Sequence, residues 1–174
     1  NAFARRQPLH AQAPLMQARV IEIQQQSGFD LLALESKKEY VARYGVGSEF
    51  RKANPEGWER AQPLVKTHLT ELATRYHASA QKSHATADVQ EAVRWYRDLL
   101  DGFPDDAAAP RNHFLLAELL YEDKQFAAAA AEYEISAYKY PAHPHSADAG
   151  YAALLAYAEQ DKRARAEGNT AAVT

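Results

Sequence analysis

Cysteine is absent from the chain of 174 residues. Without a thiol, the protein cannot form a disulfide framework, a thiolate metal site or a cysteine nucleophile. Long apolar runs are also missing: none approaches 18 residues, so no segment of the sequence is predicted to cross a bilayer. The sequence has no His-Glu-x-x-His pair, no phosphate-binding P-loop and no Gly-x-Ser-x-Gly motif. These absences leave no recognisable catalytic motif.

An excess of basic charge is missing as well. The chain has 20 Lys and Arg against 23 Asp and Glu, which gives a net charge of −3 at pH 7. A general nucleic-acid binder normally carries a basic excess, so the sequence predicts no nucleic-acid partner. The length suits one compact domain or four to five helical hairpins, and it is too short for a large multidomain enzyme.

The first residue is Asn1 rather than Met. We therefore expect the chain to be a fragment of a longer polypeptide, and a signal peptide or lipid anchor upstream stays open. Alanine supplies about a fifth of the residues, whereas Val and Ile are scarce. Because alanine favours helices and β-branched residues favour strands, and because no sustained alternation of apolar and polar residues occurs, the sequence predicts an all-α protein.

Glycine and proline divide the chain into seven predicted helices. Apolar residues recur at helical spacing within them, and the short turns between them predict antiparallel pairs, as in a bundle or a solenoid. Residues 45–57 are predicted to be a looser stretch, and Pro63 offers an alternative start for the third helix. The predicted helices are 14–27, 29–44, 58–83, 86–100, 108–122, 125–140 and a seventh that starts at 145 or 146.

An internal repeat favours the solenoid over the bundle. Residues 116–121 align with residues 152–157 at an offset of 36. Self-similarity at a fixed period of this length is typical of stacked helical hairpins. Other features recur at an offset of 37, namely Phe103-Pro104 with Tyr140-Pro141, Ala92 with Ala129, and Tyr96 with Tyr133.

The best-matching unit has small and aromatic residues where two helices of a hairpin would cross, and a proline after the second helix. These residues are Leu116, Ala117, Leu120, Tyr121, Phe126, Ala129, Tyr133, Ser136 and Pro141. The preceding unit has a looser set, which comprises Tyr76, Ala80, Ala92, Tyr96 and Pro104. In this pattern the chain resembles the tetratricopeptide-repeat family over about residues 60–160. The resemblance implies a right-handed superhelix of about three hairpins plus an extra helix.

A narrower resemblance lies at the junction of residues 140–151. Its Tyr-Pro, Ser, Ala and Ala-Gly-Tyr elements are similar to the junctions of bacterial cell-envelope repeat proteins, such as the outer-membrane assembly lipoprotein and the Tol–Pal coordinator. That similarity implies the periplasm or cell envelope of a Gram-negative bacterium, with the cytoplasm as the alternative. We divide the chain into a degenerate N-terminal hairpin and linker (1–57), the repeats (58–160) and a C-terminal tail (161–174).

Several polar clusters invite a chemical role, and a structural interpretation is favoured for each. His143 and His145 flank Pro144 and could meet one cation, but loop polarity is the simpler interpretation. His77 and His84 are seven residues apart, which favours a solvated helical face over a metal site. Glu118 and Glu122 lie on an exposed helix rather than in the closed pocket that acid–base chemistry needs. The sequence therefore predicts no catalytic residue, no metal site and no cofactor.

The resemblance to tetratricopeptide repeats implies that the first helix of each hairpin lines a concave groove. A groove of mixed aromatic and charged residues suits an extended protein or peptide partner. The alternative is that the groove packs against another part of the same chain. The groove residues so predicted are His77, Gln81, His84, Arg111, Phe114, Glu118, Tyr121, Glu122, Leu154 and Tyr157.

We therefore expect a non-catalytic scaffold or adaptor that binds a partner through its groove. Two alternatives stay open: the helical scaffold domain of a larger cell-wall enzyme, and a structural spacer in a longer repeat array. The seventh helix has an apolar face at Leu154 and Leu155 that needs a next hairpin or an oligomer partner. That face predicts self-association through the terminal helix.

Overall fold

The computed structural model of the protein describes residues 2–168. All regular secondary structure in this part of the chain is helical, which confirms the predicted all-α class. The helices are α1 (Ala2–Arg6), α2 (Ala13–Gln26), α3 (Asp30–Tyr44), α4 (Glu49–Ala53), α5 (Pro55–Ser83), α6 (Thr86–Gly102), α7 (Ala109–Glu122), α8 (Phe126–Glu134), a π-helical turn (Ile135–Lys139) and α9 (Ser146–Ala166).

The seven predicted helices correspond to α2, α3 and α5–α9, while the short α1 and α4 were not predicted. Five residues are too few to show an apolar periodicity, so only local capping marks α4: the Ser48 Oγ accepts a hydrogen bond from the Arg51 N–H at 3.2 Å. Helix α5 begins at Pro55, and the alternative start at Pro63 is wrong. The Asn54 Oδ1 caps this start by accepting from the Gly57 N–H at 3.0 Å.

The segment 125–140, predicted as one helix, changes its hydrogen-bonding period after Glu134. The π-helical turn that follows contains Ser136, which is fully buried. The Ser136 Oγ donates to the Pro110 carbonyl of α7 at 2.8 Å, and the His143 Nε2–H donates to the Ser136 carbonyl at 2.7 Å. A π turn leaves carbonyls without helical partners, and the His143 ring satisfies one of them here.

The chain forms two compact units, Asn1–Arg75 and Tyr76–Thr174, whose boundary lies within α5. The division predicted at 57/58 and 160/161 stays a prediction. Helix α9 continues through Ala166, so the predicted tail 161–174 begins as helix. Residues 169–174 of that tail lie outside the described residues.

The core of the first unit is an aromatic cluster. The rings of Tyr40 and Tyr44 meet at 5.0 Å between centroids, and the Tyr44 and Phe50 rings meet at 5.1 Å, both edge to face. The Trp58 Nε1–H donates to the Tyr44 carbonyl at 3.0 Å, and the His68 ring lies 5.0 Å from Tyr40. Edge-to-face contacts of this kind hold α3, α4 and α5 together.

The core of the second unit is rich in alanine. Helix α8 packs against α7 and α9, and many of the buried side chains of these three helices are alanines. Small side chains let helix backbones approach closely, so the short turns after α7 and α8 suffice to join them. The buried alanines include Ala117, Ala129, Ala130, Ala149, Ala153 and Ala156.

Each unit leaves apolar side chains exposed. In the first unit Phe29, Leu31 and Leu32, at the start of the predicted helix 29–44, are exposed. In the second unit the exposed stripe lies on α9, where Leu154 is 66% and Leu155 is 44% exposed. Within residues 2–168, no helix combines the length and apolar character needed to cross a membrane.

Candidate functional site

Two ring pairs in the second unit have the same geometry. His77 of α5 meets Tyr96 of α6 edge to face at 5.8 Å, and Phe114 of α7 meets Tyr133 of α8 edge to face at 5.5 Å. In each pair the two residues are 19 positions apart, and the second pair follows the first by 37 positions. Corresponding positions of α5–α6 and α7–α8 therefore make corresponding contacts.

The His77–Tyr96 pair is polar as well as aromatic. The His77 Nδ1 lies 3.2 Å from the Tyr96 hydroxyl, and the His77 side chain is only 9% exposed. Burial lowers the pKa of His77, although the negative charge of Glu122 opposes this effect. Burial likewise raises the pKa of Tyr96 to about 12. The hydroxyl thus keeps its proton at neutral pH and can donate it to a neutral imidazole.

Five of the predicted groove residues share one face of α7. From the first to the fourth of these residues each step is three or four positions, and the fifth lies four positions after the third, so their side chains recur once per helical turn. Arg111 and Glu122 are exposed, while Phe114, Glu118 and Tyr121 are half-buried. We refer to these residues as the α7 face: Arg111, Phe114, Glu118, Tyr121 and Glu122.

Aromatic rings from other segments border the α7 face. The Phe114 ring stacks on His145, the residue before α9, with centroids 5.6 Å apart and planes 26° apart. Tyr121 meets Phe126 of α8 edge to face at 5.2 Å. Phe114 therefore contacts Tyr133 on α8 and His145 before α9, which fixes its ring between two helices of the unit.

The two carboxylates of the α7 face are close in space. Burial, followed by the charge of Glu122, raises the pKa of Glu118, while His145 opposes the shift. Within the described chain, neither Glu118 nor Glu122 has a Lys or Arg within salt-bridge distance. A partly buried carboxylate beside a second one, with no cation to pair it, is electrostatically unfavourable in the free protein.

Tyr133 packs beside the turn of α7 that carries these carboxylates. Its side chain is 5% exposed, and its ring meets that of Phe114. Burial and the charges of Glu118 and Glu122 raise its pKa to about 12, with Tyr121 adding to the shift. The hydroxyl therefore remains protonated at neutral pH.

The remaining predicted groove residues are not joined to the α7 face in the same way. Gln81 is exposed on α5, and His84 follows the last residue of α5 with a left-handed φ of 52°, so it does not share a helical face with His77. Leu154 and Tyr157 are exposed on α9. The pKa of Tyr157 is raised by burial and then by Glu134, which is not a predicted groove residue. Within residues 2–168, no hydrogen bond, ion pair or ring contact joins these four residues to the α7 face.

Three residues of this region were not predicted as groove residues. Tyr96 and Tyr133 were interpreted as packing residues, and His145 was interpreted as a loop residue. Their rings do pack, but a tyrosine carries its hydroxyl at the far end of the ring and can present it beyond the seam. The recurrence of Tyr96 and Tyr133 at an offset of 37, matched by His77 and Phe114 at the same offset, is the sequence signal for them.

The loop histidines have structural partners. The Nε2–H of His143 donates to the Ser136 carbonyl, and its Nδ1 accepts from the His145 N–H at 3.3 Å. Both nitrogens of His143 therefore serve the backbone around the π turn. In the part of the chain that the structure describes, no three His, Asp or Glu side chains form a group that could hold a metal ion.

Comparison with protein-family models, curated proteins and solved structures yields no match for this chain.

Proposed function

We propose that the protein is a non-catalytic interaction module that binds a partner peptide or domain through the α7 face. The observation that carries this proposal is the α7 face itself, where half-buried aromatic rings lie beside charges that the described chain leaves unpaired. Protein interfaces combine aromatic anchors with a polar rim in this way. The alternative occupant is another part of the same polypeptide.

The proposed architecture is a solenoid of the tetratricopeptide-repeat type. The two ring pairs that recur after 37 residues support it, because stacked repeats make the same contacts in each unit. The Tyr140 hydroxyl also donates to the Pro104 carbonyl at 3.0 Å, which ties the turn after α8 to the turn after α6. Close packing through alanine supports the same architecture, because these repeats place small residues where helices cross.

The proposed compartment is the periplasm or cell envelope of a Gram-negative bacterium, with the cytoplasm as the alternative. This part of the proposal rests on the sequence of the junction between α8 and α9. In the structure that junction is an ordered turn, in which the His143 N–H donates to the Ser146 Oγ at 2.9 Å. The Ser of the junction thus has a local structural role at the start of α9.

A cross-linked pull-down from a bacterial envelope extract tests the proposal. The bait is the native chain, compared with a triple variant Arg111→Ala, Glu118→Ala and Tyr121→Ala. The matched control carries Arg97→Ala and Asp101→Ala on the exposed side of α6. We expect a partner that the native and control baits capture and the triple variant loses. Equal capture by all three baits would show that the partner-binding site does not lie on the α7 face.

The second candidate function is a spacer in a longer repeat array. The exposed stripe on α9 favours it, because Tyr151 lies 37 residues after Phe114, and yet it is 65% exposed while Phe114 is covered by Tyr133 and His145. In an array, a following hairpin or a second copy would cover this stripe. Sedimentation of the native chain and of Leu154→Gln tests it: a dimer that the substitution dissociates supports the spacer, and a monomer in both cases contradicts self-association through α9.

A further inference from the structure

We propose that the first unit binds a small carboxylate with an apolar body in a cavity between the start of α2, the second half of α3 and the first turns of α5. The inference is independent of the proposed function, because the residues that line this cavity belong to Asn1–Arg75, whereas the α7 face belongs to the other unit. It assigns a ligand of a different chemical class to a different site.

The size and the walls of the cavity supply the first argument. Its volume is about 270 Å³. An apolar cavity of about 150 Å³ holds a benzene ring, so this cavity has room for a ring and a polar group attached to it. Sites for small molecules typically combine apolar walls with a few polar groups that fix the orientation of the ligand. The apolar residues of the walls here are Ala11, Pro14, Leu15, Ala61 and Leu64.

A buried hydroxyl supplies the second argument. Tyr40 lines the cavity and is fully buried, and its hydroxyl has no hydrogen-bond partner within the described chain. Burial, followed by the charge of Tyr44, raises the pKa of Tyr40, so the hydroxyl keeps its proton at neutral pH. An unpaired buried donor is costly, and a ligand oxygen that accepted its hydrogen bond would remove that cost.

The start of α2 makes the cavity favourable for an anion. Gln12 and Leu15 line the cavity, and no side chain caps this helix start. The Ala13 N–H donates to the His10 carbonyl at 2.8 Å, whereas the described residues provide no acceptor for the Leu15 N–H. Free N–H groups in the first turn of a helix carry a partial positive charge and bind negatively charged oxygens.

Arg60 supplies a full positive charge. Among the described residues that line the cavity, it is the only one with a charged side chain. Its guanidinium lies 3.8 Å from the Glu56 carboxylate, and because both side chains are well exposed this ion pair is weak. A ligand carboxylate can therefore compete with Glu56, since an arginine binds a carboxylate through two parallel hydrogen bonds. The hydroxyl, the helix start and the guanidinium thus favour the same ligand group.

Titrations followed by two-dimensional NMR of the backbone amides test the inference. The probes are phenylacetate, phenylacetamide, which has the same shape without the charge, and acetate, which lacks the ring. Each probe is added to the native chain, to Tyr40→Phe and to Arg60→Gln. The matched control is Arg19→Gln, because Arg19 is exposed and pairs with Glu22 on the same helix but does not line the cavity. Circular dichroism checks that every form is folded.

We expect phenylacetate to shift the amide signals of cavity residues such as Leu15 and Leu64, with a dissociation constant of about 1 mM or lower for a ligand of this size. Phenylacetamide and acetate should each bind about tenfold more weakly or worse, because the first lacks the charge and the second lacks the apolar body. Arg60→Gln and Tyr40→Phe should each weaken phenylacetate binding by about three- to tenfold, whereas Arg19→Gln should bind like the native chain.

Three results would overturn the inference. If phenylacetamide bound as tightly as phenylacetate, the cavity would not select an anion. If Arg60→Gln and Tyr40→Phe bound phenylacetate as tightly as the Arg19→Gln control, the carboxylate would not be held by the cavity. If no probe shifted signals of the cavity residues at about 10 mM, the cavity would not be a site for ligands of this class. None of these results bears on the α7 face, which the pull-down tests separately.

Discussion

The two compact units use tyrosine in opposite ways. In the first unit, the Tyr40 and Tyr44 rings are sealed within the aromatic cluster, and their buried hydroxyls have no hydrogen-bond partner within the described chain. In the second unit, the Tyr96 hydroxyl meets the His77 Nδ1, and the pKa of Tyr133 is raised by burial and by the charges of Glu118 and Glu122. The same residue type is closed in one unit and directed to polar surroundings in the other.

This difference separates a structural cluster from a candidate binding surface. A buried hydroxyl without a partner keeps its desolvation penalty, so the Tyr40 ring stabilises the first unit by packing alone, while the charge of Arg43 acts on the Tyr44 hydroxyl. Burial raises the pKa of both tyrosines for the same reason. In the second unit, the Tyr96 hydroxyl has a hydrogen-bond partner in the His77 ring. The number of aromatic residues in the sequence does not distinguish a tyrosine that is only packed from one whose hydroxyl is hydrogen-bonded.

The largest effect should come from opening the closed cluster. Trp58 is 7% exposed, its Nε1–H bonds the Tyr44 carbonyl, and the Arg51 guanidinium lies 4.3 Å from its ring centroid. Truncation of a buried Trp typically costs about 3–5 kcal/mol, so Trp58→Ala should lower the free energy of unfolding by about that amount. Urea unfolding followed by circular dichroism measures it.

Phe29→Ala provides the matched control within the same unit, because the Phe29 side chain is exposed. An exposed substitution of this kind should change the free energy of unfolding by no more than about 0.5 kcal/mol. If Trp58→Ala and Phe29→Ala had similar small effects, the first unit would not depend on its aromatic cluster.

An intermediate effect should come from the same substitution made in both units. Tyr96→Phe leaves the buried His77 Nδ1 without its partner and should cost about 1–2 kcal/mol. Tyr40→Phe removes a buried hydroxyl that lacks a partner and should leave stability unchanged or raise it by up to about 1 kcal/mol. Unfolding curves of the two variants, recorded under the same conditions, should therefore shift in opposite directions. Equal losses would show that the Tyr40 hydroxyl is also satisfied.

Helical periodicity and punctuation suffice to predict most of the fold. The ends of α2, α3 and α7 fall within two residues of the prediction because Gly, Pro and polar residues mark them. Periodicity identifies an apolar stripe but not what covers it. Leu154 and Leu155 lie on the predicted apolar face of the seventh helix and are exposed, because no described element of the second unit packs over them. The π turn was not predictable, because it depends on tertiary partners such as Pro110 and His143.

The candidate site was predictable only along single helices. The spacing of Phe114, Glu118 and Tyr121 places them on one helical face, and the structure agrees. Contacts between helices, such as Phe114 with Tyr133, need the register of α7 against α8, which periodicity alone does not set. His77 shows the same limit: it lies at a predicted groove position, but its ring is buried against Tyr96.

The smallest effect concerns the buried histidines, one in each unit. Burial lowers the pKa of His68 and of His77. Glu71, 3.3 Å from the His68 Nδ1, opposes the shift of His68 by a hydrogen bond and by its charge, although Lys37 adds to the shift. Glu122 opposes the shift of His77 by its charge alone, and the close partner of His77 is a neutral hydroxyl. Both contributions to stability are complete above the ordinary histidine pKa of about 6.5. As pH falls below that value, the unfolded chain takes up protons first, so the free energy of unfolding falls until the folded histidines also protonate.

Each histidine can add at most about 1.4 kcal/mol per pH unit to this slope. We expect His77→Gln to flatten the dependence of the unfolding free energy on pH between about 6.5 and 5, relative to the native chain, because glutamine does not titrate. Because Glu71 partly compensates the burial of its partner, His68→Gln should flatten it less. Denaturant unfolding at a series of pH values measures both slopes. If His68→Gln flattened the pH dependence of the unfolding free energy more than His77→Gln does, the comparison would be reversed. The aromatic cluster of the first unit would then be the more acid-sensitive region.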